Sequence, residues 1–190
     1  MFILLLQTIT LITLLFTYIF FFFRTLVILI SMFSDVPFVP VSRKMTKEVV
    51  KVLDIKNEDS ILEIGSGDGR FLLYASKRYP NTKFVGIEIN SFLVLISNLK
   101  KRILRRNNLE FLKEDALNFD RYNKFNKIFL YMYDGFTKKL VNKYENVFEK
   151  NTILVSNIFG FGKVFESSHK VVEYPVKYIN KKEKIYIWKK

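Results

Sequence analysis

Three glycines at alternate positions, directly after a short apolar run, constrain the fold of this chain more than any other feature. Residues 61–70 read "ILEIGSGDGR". An apolar run that enters a glycine-rich turn and leaves it as a helix is typical of the first strand of an open α/β sheet, in which ligands bind at the carboxyl ends of the strands. We therefore expect a ligand at this turn.

The remaining sequence alternates between strand and helix patterns. Apolar runs predict strands at 60–64, 83–89, 109–115, 127–133 and 152–159. Helical periodicity predicts helices from about residue 43, over 70–79, over 91–106 with Ser91 as N-cap, and over 137–149 with Thr137 as cap. The tail segments "KVVEYPVKY" and "EKIYIWKK" predict an antiparallel hairpin. This order predicts an α/β fold with a mostly parallel sheet and an antiparallel edge.

The spacing and charge of the turn indicate which ligand it holds. The spacing is G-x-G-x-G, not the G-x-G-x-x-G of dinucleotide sites, and no Gly-Lys-Ser/Thr follows as in a P-loop. Asp68 lies inside the turn and Glu63 lies two residues before it. Carboxylates repel a pyrophosphate and attract a ligand that carries an amino group and a sulfonium.

Two further carboxyl groups follow at the ends of later strands. Glu88 is positioned to accept hydrogen bonds from ribose hydroxyls, and Asp115 from an adenine amino group. A methionine moiety, ribose and adenine together make S-adenosylmethionine. A solvated loop carboxylate is the alternative for each residue alone. The predicted cofactor site comprises Glu63, Gly65, Ser66, Gly67, Asp68, Gly69, Glu88, Ile89, Asn90, Asp115 and Ala116. The chain has no cysteine, and no metal is predicted.

The first residues, "MFILLLQTITLITLLFTYIFFFF", carry no charged side chain. About 22 such residues suffice for a helix to cross a bilayer. After Arg24 the apolar pattern continues, which predicts that the helix runs on into the interface. A cleaved signal peptide is the alternative, but no small-residue cleavage pattern follows. The basic residues beyond the span predict a single-pass protein with a cytoplasmic catalytic domain: Arg43, Lys44, Lys47 and Lys51.

The positive charge of the chain lies almost entirely after the apolar N-terminal stretch. Of the formal net charge of +13, about +12 falls on residues 35–190. Such charge suits nucleic acid, an acidic lipid surface or an acidic protein, and a Lys- and Asn-rich composition alone is the alternative explanation. The predicted organisation is a transmembrane anchor with an interfacial segment (1–34), a linker with a pre-core helix (35–59), and a cofactor-binding α/β domain (60–190).

The segments "ILEIGSGDGR", "FVGIEIN" and "EDALNF" resemble the first three motifs of class I S-adenosylmethionine-dependent methyltransferases. With "VPFVP" upstream, the chain resembles a family of protein-lysine methyltransferases that includes an archaeal broad-specificity enzyme and membrane-anchored mitochondrial enzymes. The resemblance covers about Val36 to Trp188 and implies a Rossmann-like sheet of seven strands ending in the hairpin. It departs at Glu63, where the family usually has aspartate, and in "LYMYDGFTKKL", where the match is less clear.

The resemblance implies methylation of a lysine of a protein near the membrane. A lysine acceptor must lose a proton, and an aromatic slot would lower its pKa by desolvation. The candidates for that slot are Tyr131, Tyr133 and Phe38, with ordinary packing as the alternative for each. A lipid or quinone methyltransferase, an RNA methyltransferase and a non-enzymatic cofactor-binding membrane module remain alternatives. RNA is not favoured, because the Asn/Asp-Pro-Pro-aromatic motif of base amino-group methyltransferases is not found after the fourth strand.

Overall fold

The computed structural model describes residues 2–32, 39–148, 151–161, 169–175 and 182–189. The chain divides into two compact units, Met1–Val39 and Pro40–Lys190. Each unit has its own organisation.

The first unit contains one long helix, α1 (Phe2–Met32). Its threonine hydroxyls donate to carbonyl oxygens one turn earlier, as Thr8 does to Leu4 O at 2.8 Å, so these polar groups are satisfied within the helix. The part from Phe2 to Thr25 is long and apolar enough to cross a membrane, and a signal sequence would have the same properties. Helix α1 continues past Arg24, as the sequence predicts.

The second unit is a layered α/β structure. Its helices are α2 (Arg43–Leu53), α3 (Arg70–Arg78), α4 (Ser91–Ile103) and α5 (Asp134–Tyr144). Its strands are β1 (Ser60–Ile64), β2 (Lys83–Glu88), β3 (Leu109–Lys113), β4 (Lys127–Leu130), β5 (Ile153–Asn157), β6 (His169–Pro175) and β7 (Lys182–Lys189).

These strands form one sheet with the order β3-β2-β1-β4-β5-β7-β6. Strands β1 to β5 pair in parallel, whereas β7 pairs antiparallel with both β5 and β6. The predicted mostly parallel Rossmann-like sheet with a C-terminal antiparallel hairpin is confirmed. The strand order reverses between β1 and β4, which opens a crevice at their carboxyl ends.

The core consists of two apolar clusters that share the sheet. Successive residues of β1 point to opposite faces, so Ile61 belongs to one cluster and Leu62 to the other. The first cluster includes Phe71 of α3, whose ring centroid lies 4.6 Å from that of Phe129 in β4. Both faces of the parallel strands are thereby covered, which leaves the strand ends as the accessible part of the sheet.

Several predicted element boundaries are wrong. Asn90, not Ser91, caps α4, because its Oδ1 accepts from the backbone N–H of Phe92 at 3.0 Å. Helix α5 begins at Asp134 rather than at Thr137, which is fully buried inside the helix. Strands β3 and β4 end two and three residues earlier than predicted, at Lys113 and Leu130. The predicted site residues beyond these ends therefore lie in loops.

Candidate active site

The glycine turn between β1 and α3 adopts a conformation that favours glycine at three positions. Gly65, Gly67 and Gly69 have φ angles of 68°, 54° and 76°. A Cβ atom on Gly69 would lie 2.4 Å from Cζ of Phe111 in β3, and one on Gly65 would lie 2.7 Å from Sδ of Met132. The turn is therefore packed closely against β3 on one side and against the segment after β4 on the other.

Hydrogen bonds fix the turn to β2 and α4. The backbone N–H of Ser66 donates to Ile87 O at 3.0 Å, and that of Gly67 donates to Oε2 of Glu88 at 2.9 Å. On the other side, Oγ of Ser97 in α4 lies 2.9 Å from Gly67 O. The ends of β1 and β2 thus form a single hydrogen-bonded unit.

Asp68 is paired with two cations within the protein. Its carboxylate accepts from Nε and Nη2 of Arg70, each at 2.9 Å, and from Nζ of Lys100 at 2.7 Å. Burial raises the pKa of Asp68, but the hydrogen bonds from Arg70 and Lys100 outweigh it, so that the pKa lies below its usual value. The sequence predicts that the charge of Asp68 is available to attract a cationic ligand. In the structure this charge is compensated by Arg70 and Lys100, and the ion pairs stabilise the glycine turn.

Unlike Asp68, Glu63 forms no ion pair with a cation among the described residues. Its side chain is 4% exposed, and Oε2 is buried without a hydrogen-bond partner among the described residues. Burial, followed by repulsion from Asp68 and Glu88, raises the pKa of Glu63 well above its usual range. The nearby hydroxyl of Ser66 is buried and unpartnered in the same way. A ligand that brings a positively charged N–H donor would satisfy this group, as the amino group of S-adenosylmethionine can.

Glu88 ends β2 with both carboxylate oxygens engaged by backbone donors. Oε2 accepts from Gly67 and Oε1 accepts from the N–H of Asn90 at 2.9 Å. Each oxygen retains acceptor capacity, so ribose hydroxyls can add to these bonds. The next residue, Ile89, is 58% exposed and offers an apolar surface beside them. This combination fits a nucleoside.

Asp115 lies in the loop after β3, the neighbour of β2. Its Oδ1 accepts from the N–H of Leu117 at 2.9 Å, and its Oδ2 accepts from Nδ2 of Asn118 at 2.7 Å. Ala116, beside it, is buried. The predicted cofactor residues are therefore brought together at the adjacent carboxyl ends of β1, β2 and β3.

Of the three predicted acceptor residues, two lie within the described residues. Tyr131 is half-buried in the segment after β4, and burial, followed by Glu183, raises its pKa. Tyr133 is 45% exposed, with its ring centroid 6.2 Å from that of Phe136. Phe38 lies outside the described residues. The two tyrosines flank Met132, which packs on the glycine turn, so this segment borders the predicted cofactor site.

Sequence reasoning missed three supporting residues. Arg70 is two positions from Asp68, and that spacing is a signal the sequence offers. Lys100 is 32 positions away, and the sequence alone presents it only as part of a basic helix terminus. Ser97 has no signal in the sequence, because its contact with Gly67 arises only when α4 packs on the sheet. Within the ranges that the structure describes, no group of three or more histidine, aspartate or glutamate residues is placed to hold a metal ion.

A comparison with known families matches residues 63–167 to the ANTKMT methyltransferase domain. The match covers more than half of the chain and includes the glycine turn and the three strand ends described above. The chain belongs to this methyltransferase family. The resemblance inferred from the sequence motifs is confirmed.

The relatives of this chain fall into two groups by name. A protein-lysine N-methyltransferase of Saccharolobus islandicus is 30% identical over 73 residues, which is 37% of this chain and 45% of that protein. A human lysine N-methyltransferase, named for the C subunit of ATP synthase, is 41% identical over 64 residues, 34% of this chain and 26% of that protein. A tRNA (guanine-N(7)-)-methyltransferase of Pediococcus pentosaceus is 32% identical over 87 residues, 44% of this chain and 41% of that protein. The chain spans less than half the length of these curated relatives.

Among solved structures, an RNA methyltransferase from Salinibacter ruber in complex with S-adenosyl-L-homocysteine superposes with a TM-score of 0.70. It is 22% identical, and the match covers 80% of this chain and 93% of that chain. This likeness establishes the methyltransferase fold. The predicted cofactor, S-adenosylmethionine, agrees with the family and with this structural neighbour.

Proposed function

We propose that this protein is an S-adenosylmethionine-dependent N-methyltransferase that modifies a lysine side chain of a protein at the cytoplasmic face of a membrane. The observation that carries the cofactor assignment is Glu63 near the end of the central strand, a buried carboxyl group whose Oε2 has no hydrogen-bond donor among the described residues. Membership of the methyltransferase family supports the reaction, and two named lysine methyltransferases among the relatives support the acceptor.

In this proposal, the residues at the strand ends each hold one part of the cofactor. Glu63 accepts from the methionine amino group, Glu88 from the ribose hydroxyls, and Asp115 from the adenine amino group, while Ile89 covers the adenine ring. When bound, the cofactor supplies an electrophilic methyl group on a sulfonium. Transfer is an in-line displacement, so the contribution of the protein is to align donor and acceptor.

The segment after β4 is the proposed acceptor side. A lysine amine is protonated at neutral pH and is nucleophilic only after it loses that proton. Tyr131 and Tyr133 offer aromatic surface beside Met132, next to the glycine turn. Partial desolvation against these rings would lower the pKa of the acceptor amine and orient its lone pair.

Helix α1 is proposed to be an uncleaved membrane anchor. Its length and composition support a span, and the basic residues at the start of α2 support a cytoplasmic catalytic domain. An anchor would raise the local concentration of membrane-protein acceptors. In this proposal the domains are an anchor with an interfacial segment (1–34), a linker with α2 (35–59) and the methyltransferase domain (60–190).

A second candidate acceptor is tRNA. It is supported by the tRNA methyltransferases among the relatives and by a net charge of +13. The lysine proposal is preferred because the archaeal and human relatives are both named for lysine, and because the apolar helix α1 favours an acceptor at a membrane over a soluble RNA.

The two candidates are separated by one labelling experiment on the full chain in detergent or nanodiscs. The protein is incubated with methyl-labelled S-adenosylmethionine and, in parallel, with solubilised membrane proteins, cytosolic proteins and total tRNA. Mass spectrometry then locates the added methyl group. Label on lysine in a membrane-protein band is expected. Label in tRNA alone would replace the lysine proposal with the second candidate.

The Glu88→Ala variant serves as the negative control for the site, since it removes the two carboxylate oxygens that accept from the backbone N–H groups of Gly67 in the turn and Asn90 at the start of α4. The Glu48→Ala variant is the matched control, because Glu48 lies in α2 in an exposed pair with Lys51. Loss of labelling in Glu88→Ala with full labelling in Glu48→Ala is expected. Full labelling in both variants would refute the assignment of Glu88.

A further inference from the structure

Helix α4 carries an exposed apolar stripe on the side opposite its buried residues. Leu95, Leu99 and Ile103 are 65%, 57% and 70% exposed, and their spacing of four residues places them on one face. The residues of α4 that are buried are Leu93 and Ser97. We call the three exposed residues the α4 stripe.

The α4 stripe is concentrated rather than scattered. Between residues 40 and 190, the structure describes eight exposed large apolar side chains, and four of them are the α4 stripe and the adjacent Leu104. Single exposed leucines are normal on soluble proteins, but a contiguous row usually marks a contact surface. Neither the core nor the predicted cofactor site uses these side chains.

Basic residues flank the stripe at the end of the helix. Arg102 and Arg105 are both exposed, and no carboxylate in the described ranges forms an ion pair with either of them. Along a helix, Arg102 lies on the same face as Leu95 and Leu99. The row of leucines therefore ends in uncompensated positive charge.

Arg105 also has an unusual backbone conformation. The N–H groups of Arg105 and Arg106 donate to Arg102 O and Lys101 O at 3.1 and 3.0 Å, which is the Schellman pattern. Arg105 occupies its left-handed position with a φ of 51°, where glycine is favoured. An exposed arginine thus occupies a backbone conformation that is unfavourable for residues other than glycine.

We propose that the α4 stripe docks on a membrane surface that contains acidic phospholipids. A helix with leucines on one face and arginines at its edge is suited to the boundary between acyl chains and headgroups. The positive charge of Arg102 and Arg105 complements anionic headgroups, and the same chain carries the apolar helix α1. The proposal concerns the surface of the second unit and does not depend on the identity of the methyl acceptor.

The test uses a fluorescent label on the full chain, which has no cysteine of its own. Leu99→Cys is labelled with an environment-sensitive dye, and the protein is reconstituted into vesicles of phosphatidylcholine with or without phosphatidylserine. Lipids brominated near the headgroup end of the acyl chain serve as quenchers. The control label is placed at Val147→Cys, another exposed apolar position, after α5. Binding of S-adenosylhomocysteine by each labelled variant verifies the fold.

Docking predicts blue-shifted emission and quenching by brominated lipid for the Leu99→Cys label in acidic vesicles, and neither for the Val147→Cys label. The double variant Arg102→Gln with Arg105→Gly removes the charges without straining the helix end. We expect it to shift the docking equilibrium about twenty-fivefold toward the undocked state, since each of the two basic residues near an acidic surface contributes about fivefold.

Three outcomes would overturn the proposal. Water-like emission from the Leu99→Cys label in acidic vesicles would exclude docking. A blue shift without quenching by brominated lipid would show that a protein, such as a second copy of the chain, covers the stripe. Equal quenching at both labelled positions would attribute the proximity to α1 alone. Methyltransferase activity is measured separately, so failure of this proposal leaves the proposed reaction untouched.

Discussion

Replacing Glu63 with glutamine is expected to stabilise the protein and to weaken cofactor binding at the same time. Glu63 is buried, and its pKa is raised well above the usual range by burial and by repulsion from Asp68 and Glu88. The folded state then holds a proton that the unfolded state releases. Stability therefore falls as pH rises from the ordinary carboxyl pKa toward the folded-state pKa.

The magnitude follows from this proton linkage. In that interval the free energy of unfolding decreases by up to about 1.4 kcal/mol for each pH unit. Glutamine does not titrate, so the variant should gain up to about 1.4 kcal/mol over the wild type for each pH unit within that interval. For a chain of this size, each such gain corresponds to a rise in Tm of about 3 to 6 °C relative to the wild type.

Cofactor binding is expected to change in the opposite direction. A charge-assisted hydrogen bond contributes about 1.5–3 kcal/mol, so the variant should bind S-adenosylhomocysteine about ten- to hundredfold more weakly. The wild-type affinity should rise with pH as Glu63 ionises, whereas that of Glu63→Gln should stay flat. Thermal unfolding and calorimetry at several pH values measure the two effects.

Glu88→Gln is the matched control at the neighbouring carboxyl group. Glu88 accepts from two backbone N–H groups, and an amide would turn its NH₂ toward one of them. This variant should lose about 1–3 kcal/mol of stability, the opposite sign from Glu63→Gln. If Glu63→Gln binds S-adenosylhomocysteine as tightly as the wild type, or becomes less stable than the wild type at pH 7.5, the reasoning about Glu63 is refuted.

Three further predictions concern the turn, the buried ion pair and the acceptor side. Gly69→Ala should cost at least about 2 kcal/mol of stability in urea unfolding and abolish cofactor binding, because a Cβ would lie 2.4 Å from Phe111 at a positive φ. Lys127→Met should cost about 3–5 kcal/mol in the same assay, since it leaves Asp59, 2.6 Å from the lysine, buried without its cation. Tyr131→Ala should lower kcat for methyl transfer about tenfold or more with an unchanged Kd for S-adenosylhomocysteine, because it removes aromatic surface proposed to desolvate the acceptor amine.

Each of these has a control in the same molecule. Gly160→Ala places a Cβ at 3.3 Å from Tyr186 and should have a small effect. Lys51→Met removes only an exposed pair with Glu48 and should change stability by less than about 1 kcal/mol. Tyr74→Ala should leave kcat unchanged. Effects in the controls as large as in the test variants, or a parallel loss of affinity in Tyr131→Ala, would contradict the assignments.

The sheet and the strand-end carboxyl groups were predictable because they depend on local patterns. Short apolar runs and the glycine turn identify the strands, and a carboxyl residue directly after a strand falls at the ligand-binding edge of a parallel sheet. Glu88 illustrates this, since its place at the end of β2 follows from the sequence alone.

Tertiary contacts and competing caps were not predictable in this way. Lys100 reaches Asp68 from a helix 32 positions away, and no periodicity encodes that pairing. The N-cap residue of α5 is Tyr133, whose side chain forms no capping hydrogen bond. The sequence therefore carries no capping signal at the true start of the helix, and Thr137, a residue type that often caps helices, is predicted instead. At α4, Asn90 and Ser91 are adjacent and equally suitable caps, so only geometry decides between them.

The uncompensated carboxyl at the end of β1 has a consequence for turnover. The methyl donor carries a positive charge on sulfur, and the spent product has lost that charge. Because Asp68 is already neutralised by two cations, Glu63 in its ionised form is a group through which the proposed cofactor site would distinguish these two molecules electrostatically. We expect such a site to retain the fresh donor more strongly than the used one, which would ease exit of the product after each reaction cycle.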